Sequence, residues 1–299
     1  MPFCRAPFTE TDATPIALRD PVFIADLHLS VTVPALRGAF IAFLDAFDWH
    51  PQLRNRQELV ILGDFFDAWL GDDTREDFAD VLRALERFVA TPNAAGAKRH
   101  LYLMQGNRDF LMGAPFAKSV NARLLADPVL ATIGEGTDPG ASMTALLSHG
   151  DRWCVDDARY QTVRARLRRP WIQCALLALP LFIRRQVARN ARAKSQSVKA
   201  QVANHYILDV TPSAVLADAL AFHTSLVIHG HTHRPAVHSL SPTPVTFSPT
   251  APQTCGSRWV LADWVVEGDR LVKGDALCFD AGRAARLPIA DILSAKPTR

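Results

Sequence analysis

The sequence lacks the features of several large protein classes. Its five cysteines are odd in number, lie far apart and form no CxxC motif, so a reduced, cytosolic chain is the simplest interpretation. No apolar run reaches the roughly 20 residues that a membrane-spanning helix needs; the nearest, Trp171 to Ile183, is interrupted by Pro180. Residues 1–20 carry no continuous apolar stretch, which argues against a secretory signal and indicates a loose extension.

A strong net charge is also missing. The formal charge of the 299 residues is +3, too small to indicate a nucleic-acid partner. The charge is nevertheless unevenly placed, because residues 152–199 hold twelve Lys or Arg and two acids. That segment carries +10 and the remainder about −7, an asymmetry that indicates a separate element with its own partner.

Short apolar runs with abrupt polar ends recur along the chain and are typical of strands buried on both faces. They are Pro21–Ala25, Glu58–Leu62, His100–Met104, Met143–Leu147 and Ser225–Ile228. Helical periodicity lies between the early runs, at Val33–Phe47 and Thr74–Ala90. A hairpin is predicted for Arg258–Val266 and Arg270–Asp280, and surface loops are predicted for residues 134–142 and 240–256. The sequence therefore predicts a mixed α/β sheet and one domain with an insertion.

Residue types that bind metals follow five of these runs directly. They are Asp26-Leu-His28, Gly63-Asp64, Gly106-Asn107-Arg108-Asp109, Ser148-His149-Gly150-Asp151 and His229-Gly230-His231. The carboxyl ends of strands converge in an open α/β sheet, so the five clusters would meet in space. Carboxylate, imidazole and amide donors suit manganese, iron or zinc, and a carboxylate such as Asp64 could bridge two ions roughly 3.5–4 Å apart.

Each cluster alone has an ordinary alternative. Asp-x-His or Gly-Asp after a strand is commonly a hydrogen-bonded turn, and a histidine-rich stretch can be a solvated loop. The combination of all five, in this placement, favours a two-metal phosphoesterase.

The order Asp-x-His, Gly-Asp, Gly-Asn-x-Asp, His and Gly-His-x-His, from Asp26 to His233, resembles the calcineurin-like metallophosphoesterase superfamily. The resemblance implies mixed β-sheets sandwiched between helices (αββα) with an inserted helical lid. It also implies one metal held by Asp26, His28 and His231, with Asp64 shared, and a second held by Asn107, His149 and His229. The expected cofactor is two Mn²⁺ ions, with Fe²⁺ or Zn²⁺ as alternatives.

The sequences flanking these motifs resemble, within that superfamily, the UDP-2,3-diacylglucosamine diphosphatase family of lipid A biosynthesis. The matching stretches are Phe23–Ser30, Gly63–Asp73, Gly106–Phe110, His149–Asp157 and His229–Pro235. The resemblance implies a hydrolase in which metal-activated water attacks the α-phosphorus of UDP-2,3-diacylglucosamine. The products would be UMP and 2,3-diacylglucosamine 1-phosphate. It further implies a peripheral protein on the cytoplasmic face of the inner membrane, and the sequence does not indicate an oligomeric state.

The same resemblance assigns roles to individual residues. Catalysis would involve Asp64, Asn107, Arg108 and His149. Substrate contacts would come from Asn107, Arg108, Asp157, Arg192, Ser195, Lys199 and His229. Lys199 departs from the family spacing, which continues with an Asn and a Lys after the Ser. Arg108 cannot serve as a general acid, but its planar guanidinium group suits a phosphate. The alternative is that Arg108 is an ordinary surface arginine.

The basic segment completes the prediction. Arginines border the apolar stretch Trp171 to Ile183 on both sides, as an interfacial helix among anionic head groups requires. The resemblance places the lid here, at residues 152–205, inserted into a core of about 21–151 and 206–285. The alternative is a helical pair packed on the core with a solvated basic face. Two other functions stay open, a phosphoesterase for another nucleotide or phosphoester and a non-catalytic scaffold.

Overall fold

The computed structural model of the protein describes residues 13–134, 142–201, 209–240, 256–280 and 282–295, with the backbone alone for 193–201. Most of the two predicted loops, at 134–142 and 240–256, lies outside these ranges. Residues 1–12 of the predicted N-terminal extension lie outside as well.

The strands, in chain order, are β1 (Ile16–Leu18), β2 (Pro21–Ile24), β3 (Glu58–Leu62), β4 (His100–Met104), β5 (Ala122–Leu125), β6 (Val129–Ile133), β7 (Met143–Ser148), β8 (Leu226–His229), β9 (Ala236–Ser239), β10 (Ser257–Val260), β11 (Val265–Glu267), β12 (Arg270–Lys273), β13 (Asp275–Asp280) and β14 (Arg283–Pro288). The helices are α1 (Pro34–Ala46), α2 (Ala79–Ala90), α3 (Ala114–Ser119), α4 (Ala158–Leu167), α5 (Pro170–Leu177), α6 (Leu181–Gln201), α7 (Pro212–Ala221) and α8 (Ile289–Ser294).

Two six-stranded mixed sheets form the centre of the molecule. One has the order β14-β13-β2-β3-β4-β5 and the other β1-β6-β7-β8-β10-β9. The strands β2, β3 and β4 run parallel in the first sheet, and β7 and β8 run parallel in the second. Apolar residues from both sheets, among them Phe23, Val60, Leu147 and Ile228, form one buried cluster between them.

Helices cover the outer faces of both sheets. Apolar residues of α1 and α2, such as Phe40 and Leu85, pack in one cluster with Ile24 and Ile61 of the first sheet. Val215 of α7 packs with residues of β7 and β8 on the other side. The predicted αββα sandwich of mixed sheets is therefore confirmed.

Three local expectations are wrong. Residues 1–20 were expected to be a loose extension, yet β1 pairs in parallel with β6. The helix expected at Thr74–Ala90 begins as a 3-10 helix, Asp72–Phe78, and becomes α2 only at Ala79. The predicted C-terminal hairpin is limited to β11 and β12, because β10 joins one large sheet and β13 the other.

Three helices, α4 to α6, occupy the basic segment. Among the described residues they bury little apolar surface, and Trp171 and Phe182 are 65% and 71% exposed. No helix in the described part of the chain combines the length and apolarity needed to cross a membrane. The exact limits of the core and the lid, 21–151, 206–285 and 152–205, stay a prediction.

Candidate metal centre

The polar clusters that follow the central strands converge at one edge of the sandwich. Asp26 and His28 follow β2, Asp64 follows β3 and Asn107 follows β4, all in the first sheet. His149 follows β7 and His231 follows β8 in the second sheet. The structure therefore brings these residues together from both sheets.

One half of the centre consists of Asp26, His28 and His233. Donor atoms of these three residues lie within 4.8 Å of one another. The Nε2 atoms of His28 and His233 are 3.2 Å apart, and His233 Nε2 lies 3.6 Å from Asp26 Oδ1. These side chains therefore direct their donor atoms at a common point.

The other half gathers around Asn107. Its Oδ1 atom lies 3.0 Å from His149 Nε2 and 2.9 Å from His231 Nδ1. The opposite nitrogen of His149, Nδ1, lies 3.0 Å from the carbonyl oxygen of Leu62. Because a carbonyl only accepts, Nδ1 carries a proton, and Nε2 is the nitrogen that faces the centre.

Asp64 lies between the two halves. Its Oδ2 atom is 3.8 Å from His28 Nδ1, and its Oδ1 atom is 3.7 Å from His149 Nε2. The backbone N–H of Arg108 donates to Oδ1 at 2.8 Å, which fixes the carboxylate. Asp64 also belongs, with Asp26 and His149, to a second group of mutually close donors. This carboxylate is placed to contact both halves.

The backbone at the centre is unusually constrained. Seven non-glycine residues with positive φ are found in the described part of the chain, and five of them are Asp26, His28, Asp64, His231 and His233. Such conformations cost free energy and concentrate at functional sites. Close approach adds to the constraint, because a Cβ atom on Gly106 would lie 2.1 Å from Asp64 Oδ1. Glycine is required at that position.

Asp109 stabilises this arrangement by accepting backbone hydrogen bonds. Its buried carboxylate accepts hydrogen bonds from the backbone N–H groups of Phe65 at 2.8 Å, Phe66 at 3.3 Å and Gly106 at 2.7 Å. These bonds join the loop after β3 to the loop after β4. The acidic residue of the Gly-Asn-Arg-Asp motif thus positions Asp64 and Asn107.

The residues of the centre differ in charge, because their pKa values are shifted in different ways. Burial lowers the pKa of His28 and His231 to about 3, so both imidazoles are neutral and can donate lone pairs. Burial alone would raise the pKa of Asp26, but the neighbouring imidazoles, led by His233, outweigh it and hold the pKa well below its ordinary value. Asp26 is therefore an anion.

Asp64 and His149 form a coupled pair. Burial raises the pKa of Asp64 to about 7, although the neighbouring His149 acts in the opposite direction. Burial by itself would lower the pKa of His149, but the carboxylates of Asp64 and Asp26 outweigh it and raise the value to about 9. A cation that bound these donors would replace protons that they hold.

The residues present fit a pair of divalent cations. Asp26 Oδ1 and His28 Nδ1 are buried and have no hydrogen-bond partner among the described residues, an arrangement that costs free energy unless a ligand satisfies such atoms. Carboxylate oxygen, imidazole nitrogen and amide oxygen form the donor set that manganese, iron or zinc accept. The described donor groups contain no thiolate.

His229 is not brought into this centre, contrary to the expectation that it would bind metal and substrate. It is the last residue of β8, its Nδ1 atom lies 2.8 Å from the carbonyl oxygen of Gly230, and its Nε2 atom lies 3.2 Å from Arg258 Nη1. Both ring nitrogens are therefore occupied away from the donor cluster. The two histidines that reach it are His231 and His233, which are the two in the Gly-His-x-His pattern.

Arg108 lies at the rim, where a substrate could reach it. Its Nη1 atom is 3.7 Å from Asp67 Oδ1, and Asp67 also pairs with Arg192 of α6. Two of the predicted substrate contacts, Arg108 and Arg192, are thus brought to one carboxylate.

Ser195 and Lys199 belong to α6, but their side chains lie outside the described residues. Asp157 caps α4, accepting from the backbone N–H of Tyr160 at 2.8 Å; its substrate contact stays a prediction.

The helix α4 and the arginine that follows it are anchored beside the centre by polar contacts. Arg164 Nε donates to the buried carboxylate of Asp151 at 2.8 Å, and the Tyr160 hydroxyl donates to it at 2.9 Å. Arg168 reaches the carbonyl oxygen of Gly106 at 3.4 Å. In the sequence, Asp151 stands out only as part of the Ser-His-Gly-Asp motif, and no pattern there indicates Tyr160. Part of the basic charge thus joins α4 to the loops after β4 and β7.

The sequence of the chain is similar to those of known proteins. Residues 22–235 match the family model of the calcineurin-like phosphoesterases. A protein of Chromobacterium violaceum named UDP-2,3-diacylglucosamine hydrolase is 41% identical over 271 residues, 90% of this chain and 98% of the relative. A protein of the same name from Shigella dysenteriae is 38% identical over 83% of this chain and 92% of its own. Among solved structures, a cold-active protein tyrosine phosphatase aligns with 96% of this chain and 82% of its own, with 13% identity and a TM-score of 0.44.

Proposed function

The chain belongs to the calcineurin-like phosphoesterase family, and from that membership we propose that it hydrolyses the diphosphate bond of UDP-2,3-diacylglucosamine in lipid A biosynthesis. The products are UMP and 2,3-diacylglucosamine 1-phosphate. The observation that carries the proposal is the high identity, over nearly their whole length, to relatives named for hydrolysis of this substrate. The donor set around Asp64 supplies the chemistry that this hydrolysis needs.

The proposed ligands follow the two halves of the centre. Asp26, His28 and His233 would hold one divalent cation, and Asn107, His149 and His231 would hold the other, with Asp64 close enough to serve both. Manganese is the proposed metal. When bound, such a pair lowers the pKa of water and stabilises negative charge on phosphoryl oxygens.

The chain's own residues supply binding and orientation. Arg108 keeps its charge at neutral pH and presents a planar fork, which suits two oxygens of a diphosphate. Its place between Asp64 and Asp67 supports this role, since the backbone of Arg108 is hydrogen-bonded to Asp64 while its side chain points towards Asp67. The leaving group is a phosphate ester that needs little protonation, so no general acid is required at Arg108.

The lid is proposed to hold the acyl chains and to lie against the cytoplasmic face of the inner membrane. Trp171 and Phe182 are exposed, while arginines surround them in sequence. Apolar side chains bordered by cations match the boundary between acyl chains and anionic head groups.

The test is an assay of the purified protein with UDP-2,3-diacylglucosamine in detergent, with and without manganese, in water enriched in ¹⁸O. UMP is expected only with the metal, and the label is expected in UMP because attack occurs at the α-phosphorus. UDP-glucosamine and a simple aryl phosphate serve as substrates without acyl chains. Asp64→Ala is the control variant, and it is expected to abolish release of UMP.

Two results of the activity measurements would overturn the proposal. One is a metal-loaded protein that releases no UMP. The other is a protein that turns over the unacylated substrates as fast as the acylated one, which would favour a phosphoesterase of broader range. Label found in the sugar phosphate instead of in UMP would place the attack at the β-phosphorus and contradict the proposed chemistry.

A further inference from the structure

His233 presents its two ring nitrogens to different neighbours. Nε2 faces the donor cluster, at 3.2 Å from His28 Nε2. Nδ1 faces away from the cluster and lies 3.4 Å from Asp263 Oδ2. The imidazole is therefore held between the proposed metal site and a single carboxylate that belongs to neither half of the centre.

Asp263 is itself fixed by a cation. Lys273 of β12 lies 2.6 Å, Nζ to Oδ1, from the carboxylate. The same ammonium group donates to the carbonyl oxygen of His233 at 2.9 Å. Lys273 thus ties the backbone of His233 and the carboxylate of Asp263 to one point.

The segment that carries Asp263 is joined to the centre through its backbone. The N–H of Leu261 donates to the carbonyl oxygen of His229 at 2.8 Å, and that of Trp264 donates to the carbonyl oxygen of Asp26 at 3.1 Å. The segment after β10 is therefore hydrogen-bonded to the chain at the ends of β2 and β8. A shift of the backbone around Asp263 relative to His229 or Asp26 would break these bonds.

We propose that Asp263 is a positioning residue for His233, which holds the Nδ1–H tautomer so that Nε2 offers its lone pair to the metal. This inference rests on the proposed metal site. A carboxylate behind a metal-binding histidine fixes the ring and raises the basicity of the ligand, and its loss typically weakens metal binding by about 10- to 100-fold. An ordinary surface ion pair between Asp263 and Lys273 would have no such effect.

The test measures metal binding directly. Wild-type protein, Asp263→Asn and Asp263→Ala are stripped with a chelator, dialysed and titrated with Mn²⁺ by calorimetry. We expect one of two binding steps to weaken by about 10- to 100-fold in Asp263→Ala. Asp263→Asn retains an acceptor oxygen without its charge, so its loss should be smaller. The visible spectrum of the Co²⁺-loaded protein should change in both variants, since the geometry at His233 changes.

Asp269→Asn is the matched control, because Asp269 is an exposed acid at the turn between β11 and β12 and its replacement changes the net charge equally. Affinities and cobalt spectra of the Asp263 variants equal to those of the control would overturn the inference. If Asp263→Ala failed to fold, the near-isosteric Asp263→Asn would decide through the same two measurements. Neither readout involves the lipid substrate, so failure of the proposed substrate would leave the result on Asp263 intact.

Discussion

Arg192 on helix α6 forms an ion pair with Asp67 in the loop after β3. The same carboxylate lies 3.7 Å from Arg108, which stands at the rim of the candidate metal centre. One acid therefore holds a lid arginine and a core arginine side by side. Two further pairs, between Arg184 and Asp73 and between Arg185 and Asp77, join α6 to the same stretch of chain.

Replacing Asp67 should weaken binding of the substrate more than it slows the chemistry. Without the shared carboxylate, Arg108 and Arg192 repel each other and are no longer held in place for a diphosphate. For Asp67→Asn we expect the KM for UDP-2,3-diacylglucosamine to rise by about 3- to 10-fold, with a smaller change in kcat, which is the signature of lost binding shared by ground and transition states.

Asp77→Asn provides the control, because it removes an equivalent charge and breaks the pair with Arg185, 2.7 Å long and exposed to solvent. Exposed pairs contribute little, so its kinetic constants should match those of the wild type. A fall in KM for Asp67→Asn would contradict the prediction and show that Asp67 competes with the substrate for the two arginines.

The exposed aromatic side chains of the lid should govern attachment to lipid. The double variant Trp171→Ala/Phe182→Ala is expected to bind anionic phospholipid vesicles at least several-fold more weakly in co-sedimentation, because two large apolar anchors are lost. Its thermal stability should hardly change, since both side chains are mostly exposed. Leu220→Ala, an equally exposed apolar residue on α7, is the control. Equal binding by all three proteins would rule out the lid as the contact surface.

Removing metal should destabilise the whole fold. A ligand that binds only the folded state adds about 2.7 kcal/mol to the free energy of unfolding at a free concentration 100-fold above its Kd. Urea unfolding of chelated protein, with and without added Mn²⁺, should show a shift of that order or more. The Asp64→Ala variant should show a clearly smaller shift, and an unchanged midpoint in the wild type would be incompatible with a metal centre that spans both sheets.

The thiols of the two buried cysteines should be inert in the native protein. Burial raises the pKa of both Cys154 and Cys278 to about 12, so the thiolate, which is the reactive form, is scarce at pH 8. In a Cys4→Ser/Cys255→Ser protein, a disulfide reagent at pH 8 should titrate at most Cys174 before unfolding and all three remaining thiols in guanidinium chloride. Rapid native reaction of Cys154 or Cys278 would contradict the burial of these side chains.

The strands that carry the site could be predicted because they are apolar on both faces. The runs at β2, β3, β4, β7 and β8 end within one or two residues of their predicted limits. Their polar ends therefore gave the positions of Asp26, Asp64, Asn107 and His149. Strands such as β14, with the sequence RAARLP, carry no such run because one face is only partly buried, and they could not be recognised.

The register at the end of β8 could not be resolved in the same way. The apolar run ends at Ile228, yet the strand continues through His229, so the imidazole that follows the run is still part of the sheet and turns towards Arg258. Two of the histidines with positive φ, His231 and His233, begin the turn into the site. The backbone N–H of His231 donates to Asp26 Oδ2, which comes from a distant part of the chain, and local sequence does not contain such a contact.

The donor cluster draws its residues from the loops after three strands of one sheet, β2, β3 and β4, and after two strands of the other, β7 and β8. Cations bound there would hold the two sheets together, in addition to their chemical role. A substitution in the core between the two sheets, for example at Val60 or Leu147, should then lower metal occupancy before any strand unfolds. Enzyme inactivation on gentle heating should accordingly precede the collapse of secondary structure.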